Sequence, residues 1–587
     1  MKRTLTKKPA TRQKKVNGNA PMENGLARDY SALIANLKKL SPDWARSQVN
    51  IDQDIYRNHL DLLSYSRDSW KTNPYFTAYG DEMAVNVFGP AGIRLRMKVM
   101  ETEDRVVHAA EEKAMLSSYF NRRDLVDKWL KSKGRPQMFR EGGFTEKRGV
   151  ATIKAGTADI FANTYIERKW QEWQRKENCT ITGRLSYNES RQLRLRSCAR
   201  DGDHFIRLVR DQKFKPFGFK IQHINTEWCD WNLNGKIQDG EGKGNVIRMG
   251  IEYDGEDGLT PVAYHFIKQP ALTWMTMNPT AYVAPSSKMA HVRILADDII
   301  HYGRFANDCD ISRPVPWATT VMSNIRFLHK YTEAAVVAAR VGACSNVFFE
   351  AGLEGPDGTV VAGNDPRDLN NLAMQMQPGA MIGLAPGITA KINNPNNPNQ
   401  NFGAFRNENL REFCAGLPGA SFPVIGQNYA EINFSAGRLD RLSTTGAWQM
   451  LQEFDIDAAE RRIFEEWLKM ALITGAVKLP VAKFEKFNQP HFQGRRWPGV
   501  DPMKEINAAA AAVANKFTSR TAVIESGVCG ESADFEDTLL KLAEEEMMLE
   551  GFGMSTATTA DTQQMVGEQT AEELDAADET ITKKPAK

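Results

Sequence analysis

Proton transfer, metal ligation and nucleophilic attack depend on few side-chain types, and in this sequence those types do not cluster. Nine histidines and seven cysteines are spread along 587 residues. The cysteines, Cys179, Cys198, Cys229, Cys309, Cys344, Cys414 and Cys529, are odd in number and widely spaced, without a CxxC pair. That argues against a disulfide framework and a structural zinc site, and fits a reducing compartment. His301 is the histidine most suggestive of chemistry, because Asp297 and Asp298 stand just before it. An acid–base site needs such groups to converge with a pocket. The expectation is therefore a hydrogen-bonded structural histidine, with the acidic pair in a turn. No HExxH or GxSxG pattern occurs. Gly235-Lys236 is followed by Ile237 and Gly242-Lys243 by Gly244, so a phosphate-cradling Walker A loop lacks its Ser or Thr. No metal, no cofactor and no enzymatic activity are expected. The stretch from Arg168 to Arg175, with Trp170 and Trp173, has the composition to stack on bases; a packing helix is the plainer reading.

Side chains this dispersed need a large scaffold, and the length predicts two to four packed units. Hydrophobic residues make up 42% and charged residues 25%, ordinary for a globular protein. The 75 basic and 73 acidic side chains leave a net charge of +2. A free-standing nucleic-acid binder shows a clear basic excess, so any DNA contact is expected to be local or weak. No run of about 18 apolar residues predicts a membrane span. Seven Lys or Arg fall within the first 15 residues, without an apolar stretch behind them. That reads as a solvated basic arm rather than a secretory signal.

Periodicity and breakers outline the elements. Residues 29–99 read as largely helical, interrupted at Gly89-Pro90-Ala91-Gly92. Residues 103–180 are mixed, with a helix near 156–177. Residues 181–300 read as β-rich, with strands at Phe205–Val209, Ile247–Tyr253 and Val262–Ile267 and a turn at Asp254-Gly255. An amphipathic helix over 315–342 places Val321, Ile325, Leu328, Thr332, Ala335 and Ala339 on one face; it would be about 40 Å long. A second helix covers 402–415, a polar loop runs from Gly416 to Phe434, and a long helix from Ser435 to Thr474 bends near Asp455. Asp501-Pro502 caps a further helix, and one more covers 533–551. The remainder, rich in Thr, Ala, Asp and Glu, reads as disordered.

Several segments, in order, resemble the lambda-type phage portal family. The first is Arg67…Asn73-Pro74-Tyr75…Asn86-Val87-Phe88-Gly89…Gly92-Ile93, and the second is Ile294–His301. The most specific is Ala415-Gly416-Leu417-Pro418…Gly426-Gln427-Asn428-Tyr429-Ala430-Glu431-Ile432-Asn433-Phe434-Ser435-Ala436-Gly437-Arg438. The last is Trp497-Pro498-Gly499-Val500-Asp501-Pro502-Met503-Lys504-Glu505. The resemblance spans about residues 60–551. The stretch 307–316 lacks the family's glycine near the stem start, and 344–401 has little recognisable pattern.

The resemblance implies an α+β portal fold: an α/β wing, a long-helix stem, a small α/β clip and a helical crown. The corresponding segments are a basic arm (1–27), the wing (28–314), a stem helix (315–343), the clip (344–401), a second stem helix (402–417), a tunnel loop (418–434), a long helix returning to the wing (435–500), crown helices (501–552) and a tail (553–587). It implies a homo-oligomeric ring of twelve at one capsid vertex of the virion, assembled in the host cytoplasm. Implied partners are double-stranded DNA, the terminase large subunit, the major capsid and scaffold proteins, and head–tail connector proteins; no membrane is implied. Phosphate contacts dominate DNA affinity, so a conduit suits polar, sequence-blind contacts. The loop offers Gln427, Asn428, Tyr429 and Asn433, with Glu431 the one charged side chain before Arg438. Arg326, Lys330 and Arg340 either face DNA or pair with carboxylates of a neighbouring subunit. The alternatives are another capsid or tail structural protein and, further off, a subunit of a DNA-packaging enzyme.

Overall fold

A computed structural model describes residues 51–134, 144–147, 150–267, 291–305, 311–343, 347–351, 388–392, 401–429, 432–497, 501–526 and 535–552. The arm 1–27, the tail 553–587, most of 344–401 and Glu431 lie outside them. By contacts the chain divides into Met1–Asn58, whose described residues 51–58 are helical, and His59–Lys587, which holds the rest of the fold.

Of residues 29–99, expected to be largely helical, 29–50 lie outside the described residues, and 51–87 are helical apart from Asn73. Helix α1 (Ile51–Thr72) stops where Asn73 caps α2 (Pro74–Val87): the Asn73 side chain accepts from Tyr75 N, and Pro74 occupies the first turn. Gly89 and Gly92 then turn the chain with φ of 63° and 68°, conformations that side chains resist. Strand β1 (Arg94–Met97) comes next, then β2 (Arg105–Val107), α3 (Ala110–Ser132), β3 (Phe144–Lys147), β4 (Val150–Ile153), α4 (Ile160–Trp173) and the short α5 (Lys176–Cys179). Helix α4 buries Trp170 and Trp173 completely, so the tryptophan–arginine stretch packs the core as the plainer reading had it.

The stretch 181–300 departs from its β-rich expectation at helix α6 (Tyr187–Asp201). Its sequence, rich in Arg and Ser, carries no apolar stripe because several of its buried positions are charged or polar, among them Ser190, Arg191, Arg194 and Ser197. The strands after it are β5 (Asp203–Arg210), β6 (Phe219–Ile224), β7 (Gly235–Lys236), β8 (Val246–Arg248), β9 (Ile251–Tyr253), β10 (Pro261–Ile267), β11 (His291–Leu295) and β12 (Ile299–Gly303). The single strand expected over 247–253 is a hairpin. Met249 and Gly250, at φ 49° and 82°, make the two-residue turn between paired Arg248 and Ile251. Strands β7 to β11 form a five-stranded meander, and β12-β5-β6 a separate sheet. Every ladder is antiparallel, so the described arrangement is α+β and not α/β.

The amphipathic helix begins later than its pattern suggested. Trp317–Thr320 form a 3-10 turn after Pro314 and Pro316, and α7 runs from Met322 to Ala343. Its 22 residues span about 33 Å, short of the expected 40. Val321, Ile325 and Leu328 are buried, whereas Ala339 is exposed. Strands β13 (Val347–Ala351) and β14 (Ile388–Ile392) pair with each other. Helix α8 (Phe402–Ala415) matches its expected span, and α9 (Phe422–Gly426) lies in what was read as loop. Helix α10 (Phe434–Asp455) continues through a π-helical turn, Ile456–Glu460, into α11 (Arg461–Ile473); this irregularity lies where a bend was expected, next to Asp455. The short α12 (Phe484–Phe487) precedes β15 (Pro490–Gln493), which pairs with β1. Helices α13 (Pro502–Ala514), α14 (Arg520–Ser526) and α15 (Phe535–Gly551) complete the order; α14 had no expectation. Asp501 caps α13 by accepting from Lys504 N.

One apolar core joins α2, α4, α6, β5, β6 and α11 with the start of α7 and the end of α8. A second fills the space between the meander and β5–β12. A third lies between α3 and α15. No helix among the described residues is long and apolar enough to cross a membrane.

Candidate functional site

The segment between α8 and α10 is tied down before it emerges. Thr320 Oγ1 donates to the Gly416 carbonyl at 3.3 Å, and Leu417 is buried. Tyr79 Oη donates to the Pro418 carbonyl at 3.0 Å. Gly419 has φ 73°, and a Cβ there would meet the Trp448 ring at 2.9 Å. Ser421 Oγ donates to Asp440 Oδ2 at 2.7 Å, joining this stretch to α10. Glu82 serves the same corner. Burial pushes its carboxyl up to about 8, against a hydrogen bond from the Ser421 backbone and with the Asp440 carboxylate adding to the rise. Helix α9 buries Pro423 and Ile425. The expected polar loop 418–434 is therefore half packed: Leu417, Ser421, Pro423 and Ile425 are buried, Val424 is exposed, and the chain comes to the surface after Gly426.

The exposed half starts at Gln427, whose left-handed φ of 50° ends α9. Gln427 Nε2 donates to the Val424 carbonyl at 2.7 Å, and Asn428 N to that of Pro423 at 3.2 Å. Tyr429 is 58% exposed. Asn433 accepts from Ala436 N at 2.8 Å and so starts α10. Among the described residues from Gln427 to Gly437 no side chain is charged; Arg438, exposed, is the first.

The structure brings Gln427, Asn428, Tyr429, Asn433 and Arg438 into one short stretch of surface but sets the basic residues of α7 apart. Arg326 and Arg340 are 14 residues apart on one helix, about 21 Å at 1.5 Å per residue. Arg326 lies over the Tyr65 ring at 5.5 Å. With Lys330 and Glu333 it lines a groove of about 620 Å³ beside Asp68. Lys330 and Arg340 are exposed.

His301 is structural, though its partner is not one of the carboxylates before it. Its Nε2 lies 3.1 Å from Asp203 Oδ2, and its ring stacks on Phe205. Arg313 shares the same carboxylate. Asp297 and Asp298 sit in a 3-10 turn as expected, Asp298 bound to Arg210. Among the described residues no cluster of His, Cys, Asp and Glu could hold a metal.

The sequence reading missed a buried ionic knot where α6 meets the π-helical turn. Arg191 grips Glu460 with Nε at 2.9 Å and Nη2 at 2.7 Å. Arg194 binds both Asp455 and Glu460. Tyr187 Oη donates to Glu460 at 2.9 Å, and Tyr302 Oη to Asp455 at 2.8 Å. Burial would raise the Glu460 carboxyl, but Arg191 and Arg194 hold it down at about 2. The one signal in the sequence is the capping box Ser186-x-x-Glu189, which announces a helix at 187.

A family model described as "Phage portal protein, lambda family" matches residues 38–452. A "Probable portal protein" of Halomonas phage phiHAP-1 is 23% identical over 486 residues, covering 82% of this chain and 80% of its own. Solved structures also match, among them two from gene transfer agent particles. A chain from the "Virion of native gene transfer agent (GTA) particle" has a TM-score of 0.34 at 12% identity, covering 62% of this chain and 86% of its own. A chain from the "Neck of empty GTA particle computed with C6 symmetry" has a TM-score of 0.32 at 10% identity, covering 64% and 88%. With most of its length matched by the family model, this chain belongs to the lambda family of phage portal proteins.

Proposed function

We propose that copies of this chain close into a ring, expected to hold twelve, at one capsid vertex, and that duplex DNA passes through its centre during packaging and ejection. The family is a structural one of the virion, which fits a conduit better than a catalyst. The observation that carries the reading is that Gln427, Tyr429 and Asn433 are exposed between a packed anchor and a capped helix, in a stretch whose sequence has no cation before Arg438. Such a surface can touch passing phosphates through polar groups without holding them, since each added Lys or Arg raises affinity.

In this reading α7 and α8 are stem helices, 344–401 is the clip, 28–314 the wing, 435–500 the return to the wing and 501–552 the crown. The exposed large apolar side chains of α7 and α10, Phe327, Val336 and Val337 on one and Leu439, Leu442 and Met450 on the other, support burial against neighbouring copies. Heterologous contacts of this kind close into rings. Terminase would dock on the clip before head–tail connector proteins replace it, and capsid and scaffold proteins would surround the wing. Arg326, Lys330 and Arg340 remain candidates for DNA contact or for ion pairs between subunits.

Two measurements test this. Electron micrographs of the purified protein should show closed rings with a central hole; a lone particle or an open filament would favour another capsid or tail role. Tyr429→Ala and Glu431→Ala should leave rings intact and lower the DNA packaged per particle. Normal packaging in both would remove 427–433 from the channel.

A further inference from the structure

The end of α1, the first half of α2 and one face of α6 enclose a pocket of about 530 Å³ that has no part in the channel reading. Four cationic side chains line it, Arg67, Lys71, Arg196 and Arg200, against the single carboxylate of Asp81. Beneath it the buried Asp201 carboxylate is shared by two guanidiniums. Arg67 reaches it with Nε at 2.9 Å and Nη2 at 3.0 Å, and Arg200 with Nε at 2.9 Å and Nη2 at 2.7 Å. Arg67 also binds the exposed Glu227, and Arg196 binds Asp81. Four cations against Asp81, Asp201 and Glu227 leave an excess of one positive charge, 4 − 3 = 1.

Several donors remain unused. Arg196 engages Gly80 and Asp81 through Nε and Nη2, and Arg200 engages Asp201 through the same two atoms, which leaves Nη1 on each without a partner among the described residues. Lys71 is exposed and has no partner among the described residues. Trp70 forms part of the pocket wall. Gly80 lets this ring lie against α2, because a Cβ there would meet it at 2.7 Å.

We infer that this pocket binds a phosphate group, that of a nucleotide or of a nucleic-acid backbone. Charge-assisted N–H donors from guanidinium and ammonium groups suit phosphate oxygens. The pocket offers three such groups with free hydrogens, Lys71, Arg196 and Arg200, more than the two oxygens of a carboxylate require. Its volume exceeds that of one anion, and Asn225 and Thr77 on its wall can bond an attached sugar or base.

The test uses the full chain as purified. Inorganic phosphate, deoxyadenosine monophosphate and a short DNA duplex are titrated calorimetrically, with acetate at matched ionic strength as the carboxylate probe. Phosphate and the nucleotide should bind saturably, once per chain, and better than acetate. Lys71→Glu, which breaks no internal contact, and Arg196→Glu should each weaken them about tenfold or more. If duplex affinity falls with the same variants, the phosphate is that of DNA. If it does not while phosphate binding is lost, the site takes a free phosphorylated ligand. Equal binding of acetate would assign the pocket to an acidic protein segment instead and overturn the proposal. So would affinities that Lys71→Glu and Arg196→Glu leave unchanged.

Discussion

In α6 Arg191 and Arg194 are fully buried, and their partners Asp455 and Glu460 lie more than 260 residues away. Composition rules put Arg outside unless it is paired, and pairing at that separation is invisible without the fold. Removing one partner of such a knot strands the others in a dry interior, so Arg194→Met should lower stability by about 3–5 kcal/mol. Arg461→Ala, which cuts only an exposed i, i+4 pair with Asp457, should cost no more than about 0.5 kcal/mol. Denaturant midpoints of the two variants check both. Histidine supplies the pH dependence. His223 is bonded to Ser190 Oγ at 2.6 Å and to His204 at 2.8 Å. Burial, with Arg194 adding, holds it down at about 3; burial also lowers His204, and it holds His59 at about 2. Unfolded, these imidazoles titrate near 6.5. Between that value and 3 the unfolded chain binds more protons, so stability is full above pH 6.5 and is lost as pH falls. Glu460 extends the loss below 4.5. Glu82, raised to about 8, opposes it, because its folded form keeps a proton that the unfolded form releases. His265 and His301 are lowered by burial as well, and burial raises the Asp455 carboxyl as it does that of Glu82. Five lowered histidines outweigh two raised carboxyls, so the unfolding midpoint should drop between neutral pH and about pH 5, and His223→Gln should flatten that slope.

Elements were legible where local chemistry sets them and illegible where packing does. Asn73-Pro74 and Asp501-Pro502 mark helix starts in the sequence, and the structure has both. Helix α8 was legible end to end, since Gly416 closes it and its apolar positions recur at helical spacing. The start of α7 was misread because Val321 and Ile325 continue an apolar face that the two preceding prolines do not let the helix use. Of the candidate site, the residues Gln427–Asn433 were legible, but the anchoring of 417–426 was not. That anchoring depends on Tyr79, Trp448 and Asp440, each on a different stretch of chain. Gly419 carries a recognisable share of it. Alanine there would meet both the positive φ and the Trp448 ring, so Gly419→Ala should cost about 1–3 kcal/mol. It should also displace the exposed segment: amide exchange over 427–433 should rise in this variant while exchange in β5 and β6 stays unchanged.

At the scale of the molecule, the family match ends at residue 452, yet the fold does not. Strand β15 pairs with β1 from Arg94↔Gln493 to Met97↔Pro490, and covers Leu95 and Met97 of the main core. Trp497 Nε1 donates to Asn86 at 3.1 Å, and Gln452 bridges the Val87 and Arg495 carbonyls. The resemblance placed Asn86 and Trp497 in separate motifs without showing that they touch. Helix α15 is attached differently. It meets α3 through a small core of its own, Val126, Leu130, Leu540 and Ala543, with Arg122 bound to Glu544. Truncation after Ser526 should therefore expose that minor cluster and leave one cooperative transition close to that of the whole chain. Truncation after Phe487 removes the partner of β1 and opens the main core, where each large apolar side chain uncovered costs about 1.5–3 kcal/mol. Against a net stability of about 5–15 kcal/mol, the shorter fragment should show no cooperative melting and should be digested throughout by a trace of protease. If it instead melts as the whole chain does, β15 is an appendage rather than part of the core, and the C-terminal segment answers only to assembly.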